Sequence, residues 1–262
     1  MNNNSNKLNG LKLLEVQAAI IIVIIAMGLG FLSRSFTEQF AEIRESDVVG
    51  TYGTLYALIT AFILVNAWNH FNEIKNTYAA ETEALIHLWN FVDFLDDETM
   101  SKAMHFTLLS YIEAIIKVEF PKLARFEHVH LPSPEFQKIL HLLDMIDFEK
   151  SRTGIAFDAM VMAFKDLSHA RNQRIEYSLN RIPGLVKLFY MLSCLFFWFA
   201  FFIQYFENEL LYFFNLFATT VIVVLSYMII FDLDKPLSGL LRISLENYDI
   251  CRVYIKETIH SL

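Results

Sequence analysis

The stretch Val48–Phe71, VVGTYGTLYALITAFILVNAWNHF, decides the fold of this chain. It carries no charged side chain from Val48 to Asn69. As a helix it is therefore long enough to cross the roughly 30 Å hydrocarbon core of a bilayer. It is also rich in small and hydroxyl side chains, and membrane helices of that kind either pack tightly against other helices or line a wet path. We interpret it as the second membrane span and as a candidate pore helix.

The composition of the whole chain favours a membrane protein. Of the 262 residues, 55% are hydrophobic and 19% are charged, whereas soluble domains have roughly a quarter charged. Four windows are apolar enough to cross a bilayer: Val16–Leu32, Val48–Trp68, Leu188–Phe206 and Leu210–Phe231. The first window lacks a small-x-small cleavage site, so it predicts an uncleaved anchor rather than a signal peptide.

The distribution of lysine and arginine predicts the sidedness of the spans. Most of them fall at one set of span ends: Lys7, Lys12, Lys75, Arg171, Arg174, Arg181, Lys187, Lys235 and Arg242. Only Arg34 and Arg44 lie at the other set. Since the cytoplasmic side carries the positive excess, the sequence predicts a multi-pass membrane protein with both termini in the cytoplasm.

The predicted fold is an all-α membrane protein with four transmembrane helices and a helical cytoplasmic domain inserted between spans 2 and 3. The segments are a cytoplasmic tail (1–14), spans 1 and 2 (15–71), the helical domain (72–182), spans 3 and 4 (183–233) and a cytoplasmic C-terminal helix (234–262).

Helical periodicity continues after span 2, so we expect span 2 either to run on as a cytoplasmic helix or to bend near Asn69–Asn72. Asp97 or Thr99 could cap the next helix, which Pro121 should kink or stop. Further helices are expected at 135–148 and 153–181. A tail helix should begin at Pro236 with Asp234 as its cap. Its packed face would hold Leu237, Leu241, Leu245, Tyr248, Cys251 and Tyr254.

Several function classes are disfavoured. The net charge of −8 argues against nucleic acid as a partner. Cys194 and Cys251 suggest neither a disulfide nor a metal site. Glu83 and His87 lie one helical turn apart, but one such pair supplies too few ligands for a metal ion. No nucleophile–base set, phosphate loop or cofactor fingerprint is present, so we expect no enzyme activity and no cofactor.

Two polar groups have two interpretations each. The outer loop carries Glu38, Glu42, Glu45 and Asp47. Copies of it around an axis would ring the outer mouth of a pore and concentrate cations, or the loop is an ordinary solvated face. Arg171 and Arg174 should pair with carboxylates of neighbouring helices or touch lipid headgroups.

The order of these elements and five local motifs resemble the bacterial bestrophin-like family over residues 15–258. The motifs are Ala61-Phe62, Trp68-Asn69-His70-Phe71, Glu81-x-Glu83-Ala84-Leu85, Arg171-x-x-Arg174 ahead of Ile182-Pro183, and Asp234-Lys235-Pro236-Leu237-Ser238-Gly239. Bestrophins are homopentameric ion channels in which the second span forms a hydrophobic neck.

Carried over to this chain, the resemblance implies that the pore is lined by Gly50, Thr54, Leu58, Ala61 and Val65. The chain departs from the family pattern in two ways. The aromatic side chains typical of the neck are absent at these positions. The acidic run that binds calcium in animal bestrophins is reduced to Asp232 and Asp234 beside Pro236, so we expect no calcium activation.

The sequence together with this resemblance leads us to expect a homo-oligomeric, pentameric ion channel of the bacterial inner membrane with span 2 lining the pore. Two selectivities stay open: the acidic outer loop and the net charge of −8 lean towards monovalent cations, whereas the animal relatives favour anions. The partners of the channel would be copies of itself, membrane lipid and the permeating ions. The alternative is a non-conducting membrane interaction or scaffold protein, either a stator-like subunit or a membrane-tethered sensor.

Overall fold

The computed structural model describes residues 17–33, 48–95, 97–127, 129, 133–146, 151–202, 204, 206 and 208–261. Nine α-helices and one π-helical segment occur within these ranges, and none of the described residues forms a strand. The α-helices are α1 (Gln17–Ser33), α2 (Val48–Val92), α3 (Glu98–Ala114), α4 (Phe120–Ala124), α5 (Pro134–Asp144), α6 (Ser151–Leu179), α7 (Gly184–Phe202), α8 (Glu209–Leu233) and α9 (Glu246–Ser261). The π-helical segment is Ile115–Glu119.

Helix α2 has 45 residues, which makes it about 68 Å long at 1.5 Å per residue. No glycine or proline falls between Thr54 and Val92, so nothing in that part of the backbone breaks the helix. The polar side chains of Asn66 and Thr77 donate to carbonyls of the preceding turn. The expectation that span 2 continues into the next helix is confirmed.

Helix α3 is capped by Asp97, one of the two residues that the sequence named as its cap. The Asp97 carboxylate accepts from the backbone N–H groups of Thr99 and Met100 at 2.9 and 3.1 Å. Pro121 was expected to kink or stop this helix. The helix does not stop there, because the chain passes through the π-helical segment and continues as α4, with Pro121 in its first turn. The wider π turn accommodates a residue that lacks an N–H group.

The chain forms two compact units, each built from two segments. One, which we call the span unit, combines Met1–Asn69 with Ile182–Asp234. The other, the insert unit, combines His70–Arg181 with Lys235–Leu262.

The span unit contains α1, the first half of α2, α7 and α8. Helices α2, α7 and α8 are long and apolar enough to cross a membrane. Helix α1 is apolar but shorter, with its described part running over Gln17–Ser33, about 25 Å. The buried clusters of the unit are small, and large apolar side chains such as Leu185 and Leu210 are almost fully exposed. So much uncovered apolar surface suits lipid or further helices rather than water.

The insert unit has a much larger core, drawn from α2, α3, α5, α6 and α9. Trp89, Leu108, Ile112 and Leu167 are among its fully buried side chains. The unit therefore has the interior of an ordinary water-soluble helical domain.

The tail helix begins ten residues later than the sequence predicted. Pro236 opens a turn, in which Gly239 N–H donates to the Lys235 carbonyl at 2.8 Å and Ile243 N–H donates to the Pro236 carbonyl at 2.8 Å. Serine and glycine favour such turns over a helix. Helix α9 then starts at Glu246 and buries Tyr248, Cys251 and Ile255. Leu241 and Tyr254, expected on the packed face, are exposed.

Candidate pore helix and a buried ion network

The stripe predicted to line a pore lies on a face of α2 that the chain itself does not cover. Gly50, Thr54, Leu58, Ala61 and Val65 are all exposed. Leu58 and Val65, the larger members, have 63% and 57% of their surface uncovered. This face is free to meet lipid, another subunit or water.

The opposite face of α2 is packed. Tyr56, Ile63 and Ala67 are buried at 5–6% exposure and contribute to the core of the span unit. At about 3.6 residues per turn, these side chains project roughly opposite to Leu58 and Val65. The rotation of α2 about its axis is thus defined by its contacts with α7 and α8.

Two threonines of α2 have different surroundings. Thr54 is exposed, and its hydroxyl donates to the Gly50 carbonyl at 2.8 Å, which leaves its lone pairs facing outward. Thr60 is half-buried, and its Oγ1 atom is buried on the packed side of the helix.

Gly53 lets α2 approach α7 closely. A Cβ atom at this position would lie 3.1 Å from the ring of Phe197. The same ring stacks on Tyr56, with a centroid distance of 4.7 Å and an interplanar angle of 12°. Sequence reasoning had suggested close helix packing for the glycines here, and Gly53 has that role.

Sequence reasoning did not assign Phe62 to the pore face, although it is the most exposed large apolar residue of α2 at 72%. It follows Leu58 by four residues, so both belong to one row on the uncovered face. An aromatic ring is therefore present on this face, although not at the five positions carried over from the family. The spacing of four residues between Thr54, Leu58 and Phe62 was the sequence signal that could have placed Phe62 on this face.

The other predicted site residues fall in two groups. Glu38, Glu42, Glu45 and Asp47 lie outside the described residues. Asp232 and Asp234 end α8 and are both buried. Asp234 accepts from the Ile182 backbone N–H at 2.8 Å and from Lys187 Nζ at 2.5 Å. Asp234 therefore holds the segment before α7 rather than capping a helix at Pro236.

The insert unit contains a buried network of two carboxylates and two guanidinium groups. Arg174 on α6 donates from Nε to Glu81 Oε2 at 2.5 Å and from Nη2 to Glu119 Oε2 at 2.5 Å. Arg171 donates to Glu119 Oε1 at 2.8 Å. The four side chains are at most 3% exposed. Of the two alternatives for the arginines, pairing with carboxylates is confirmed.

Two tyrosines complete the network. Tyr111 on α3 donates to Glu81 Oε1 at 2.7 Å, and Tyr248 on α9 donates to Glu81 Oε2 at 2.5 Å. Glu81 thus joins α2 to α3, α6 and α9 through one carboxylate. Glu119 is supplied by the π-helical segment, a type of helix irregularity that often occurs at sites with a special role.

The electrostatics of the network keep its charges in place. Burial raises the pKa of the Tyr111 and Tyr248 hydroxyls well above the usual value, so both remain hydrogen-bond donors. Burial alone would raise the pKa of Glu119, but attraction by Arg174 and Arg171 outweighs it and lowers that pKa below its usual value. Arg171 Nε and Arg174 Nη1 are buried without a hydrogen-bond partner among the described residues.

A groove of about 540 Å³ runs between α2 and α6 in the insert unit. Its walls include five alanines together with Glu83, His87, Asp166 and His169. The Glu83 and His87 side chains are exposed, and His87 Nε2 lies 3.8 Å from Glu83 Oε1. The described residues contain no cluster of three or more side chains arranged to hold a metal ion. The pair His128-x-His130, which the sequence favours as a surface feature rather than a metal site, lies outside the described residues.

Helices long and apolar enough for a bilayer, with a separate helical unit inserted between them, define the class of the chain as an all-helical integral membrane protein. A model of the Bestrophin-like domain matches residues 18–248. The chain therefore belongs to the bestrophin-like family.

Solved structures agree with this fold. Two variants of a bacterial bestrophin homologue from Klebsiella pneumoniae are each 12% identical to the chain, with TM-scores of 0.70 and 0.72. Each match covers 95% of this chain and 98% of the homologue. A further crystal structure of a membrane protein is 13% identical with a TM-score of 0.66, over 95% of this chain and 97% of that one. No curated protein matches the chain.

Proposed function

We propose that the chain is a subunit of a homo-oligomeric ion channel whose pore is lined by α2. One observation carries the proposal. The residues expected to face a pore are uncovered in the subunit, while the opposite side of the same helix is anchored on α7 and α8. A helix held in this way can present one fixed face to a shared axis when several copies assemble.

The assembly proposed is a pentamer in the bacterial inner membrane, by analogy with bestrophins. Four spans would cross the bilayer, with α1 as the first, and both termini and the insert unit would be cytoplasmic. The uneven distribution of lysine and arginine between the two sets of span ends supports this orientation. Family and fold also favour a protein without enzyme activity.

Conduction would be passive, through a partly apolar neck formed by Leu58, Phe62 and Val65. Apolar constrictions of this kind oppose ion entry by excluding water. The proposed lean towards monovalent cations rests on the acidic outer loop, Glu38 to Asp47, and on the net charge of −8. Asp234 is already paired with Lys187, which supports the proposal that calcium does not activate the channel.

Cysteine substitution on the uncovered face tests the pore assignment. Native Cys194 and Cys251 are buried, so the unsubstituted protein supplies the baseline. Purified Leu58→Cys protein in planar bilayers should lose most of its current when a charged thiol reagent is added. Leu195→Cys on exposed α7 is the matched control and should keep its current. Equal responses at the two positions would refute the assignment.

Reversal potentials test the selectivity. A tenfold gradient of potassium chloride separates cation from anion preference by the sign of the potential. A shift towards the potassium equilibrium potential is expected, and replacing Glu38, Glu42, Glu45 and Asp47 together with the neutral amides should reduce it. A shift towards the chloride potential would overturn the cation proposal while leaving the pore proposal intact.

A further inference from the structure

Three hydroxyl groups meet inside the span unit and join α2 to α7 and α8. The Tyr56 hydroxyl lies 2.6 Å from Ser226 Oγ, and the Tyr190 hydroxyl donates to the same oxygen at 3.1 Å. Ser226 Oγ in turn lies 2.8 Å from the Ile222 carbonyl of its own helix. A serine hydroxyl has one proton and two lone pairs. Ser226 therefore donates to α8 and accepts from both tyrosines, so Tyr56 is a donor.

The bond from Tyr56 differs from those of other polar side chains on this part of α2. Thr54 and Asn66 donate to carbonyls of their own helix, so those bonds do not hold α2 against another helix. Apolar contacts between membrane helices depend on packing alone, since lipid tails are as apolar as the partner. A hydrogen bond, in contrast, has a preferred direction. The Tyr56 hydroxyl thus favours one rotation of α2.

The rotation that Tyr56 favours is the one that leaves the candidate pore face uncovered. Tyr56 and Val65 are nine residues apart, about two and a half turns, and therefore project from opposite sides of α2. Gly53 lies beside the ring of Phe197 on the packed side, and that ring stacks on Tyr56. The stacked ring places the Tyr56 hydroxyl within reach of Ser226.

We propose that Tyr56, acting through Ser226, is a positioning residue that sets the rotation of α2 and thereby decides which side chains its uncovered face presents. The consequence for conduction rests on the proposed function, because it requires that this face line the pore. The effect on rotation itself does not depend on conduction.

Thiol labelling measures the rotation directly. Single cysteines at Leu58 or Leu55, two exposed positions on neighbouring faces of α2, are introduced into otherwise native protein and into Tyr56→Phe protein. Labelling of the purified oligomer with a small maleimide is followed by mass. Tyr56→Phe keeps the stacked ring but removes the donor, and a net hydrogen bond corresponds to roughly a three- to tenfold change in an equilibrium. The ratio of labelling rates at the two positions should change by that factor.

Matched hydroxyl deletions separate positioning from simple destabilisation. Tyr190→Phe removes the other donor to Ser226 but leaves the bond between Tyr56 and Ser226 in place, so it should change the labelling ratio less than Tyr56→Phe does. Ser226→Ala should reproduce the change seen in Tyr56→Phe, and the double variant should add little because both remove the same bond. A lower melting temperature with an unchanged ratio in Tyr56→Phe would overturn the proposal.

The labelling result is independent of the pore result, since it needs no current. A changed ratio in Tyr56→Phe combined with no block of current at Leu58→Cys would uphold the positioning role and refute the pore. Block at Leu58→Cys with an unchanged ratio would refute the positioning role and leave the pore assignment standing.

Discussion

The two halves of α2 are held by different kinds of contact. In the span unit, Tyr56 reaches one serine hydroxyl, and the buried clusters around it are small. In the insert unit, Glu81 receives bonds from Arg174, Tyr111 and Tyr248 within a large core. Water drives apolar groups into a core that can enclose charges, whereas lipid supplies no such force between helices. Close packing at Gly53 and the hydroxyl bond of Tyr56 then contribute to holding α2 against α7 and α8.

The largest effect is expected when the insert network loses a cation. Arg174→Met leaves Glu81 and Glu119 buried without their main partner, and breaking a buried pair in this way costs about 3–5 kcal/mol. Arg252→Met, which breaks the partly exposed pair with Asp249, should cost no more than about 1 kcal/mol. Denaturant unfolding of the purified protein measures both. Similar losses in the two variants would contradict a special role for the network.

A smaller effect is expected from the tyrosines that donate to Glu81. Tyr111→Phe and Tyr248→Phe each remove a hydrogen bond to a charged group, worth about 1.5–3 kcal/mol. The control is Tyr254→Phe, whose hydroxyl bonds to Asn90 at the surface and should matter by less than about 0.5 kcal/mol. The same unfolding measurement applies, and a Tyr254→Phe loss as large as that of Tyr248→Phe would refute the ranking.

The network also predicts the response to acid. Glu119 has a folded-state pKa below its usual value of 4.5. Its contribution to stability is therefore fully present above that value and is lost as the pH falls through the folded pKa. Glu119→Gln should remove this part of the acid dependence, whereas Glu98→Gln at the exposed start of α3 should keep it. Unfolding midpoints measured from pH 6 down to pH 3 compare the three proteins, and identical slopes would contradict the assignment.

The smallest effect concerns glycine packing in the span unit. Gly28→Ala adds a methyl group with nothing within 4 Å and should stabilise α1 by up to about 1 kcal/mol. Gly53→Ala places a methyl group against Phe197, and the ring has to move. Its stabilising effect should therefore be smaller than that of Gly28→Ala by roughly 1 kcal/mol. Melting temperatures of the two variants in detergent give the comparison. A greater gain at Gly53 would mean that α2 and α7 are not tightly packed there.

Much of the helix pattern was predictable from local sequence. The apolar windows correspond to α2, α7 and α8, and the missing glycine and proline after Thr54 explain why α2 runs on to Val92. Asp97 was one of two caps proposed for α3. These features depend on hydropathy, backbone freedom and short-range hydrogen bonds, all of which act within a few residues of the chain.

Other features were decided by partners far away in sequence. Asp234 was expected to begin a helix, but its carboxylate is taken up by Ile182 and Lys187 at the start of α7. Thr60 and Thr54 belong to the same helix, but only the Thr60 oxygen is buried, because α2 packs with that side on its neighbours. From the sequence, Arg171 and Arg174 of α6 could contact either lipid headgroups or carboxylates. The tertiary structure decides between the two, because it places Glu81 and Glu119 beside them.

For the stretch Val48–Phe71, the sequence by itself determined the length, the lack of charge and the helical state. Those properties follow from composition along the chain. Which face of the helix is uncovered was decided only by tertiary structure, because it depends on where Phe197 and Ser226, more than 140 residues later in the chain, meet Gly53 and Tyr56. A helix with small and polar residues on several sides has no preferred face until its neighbours select one.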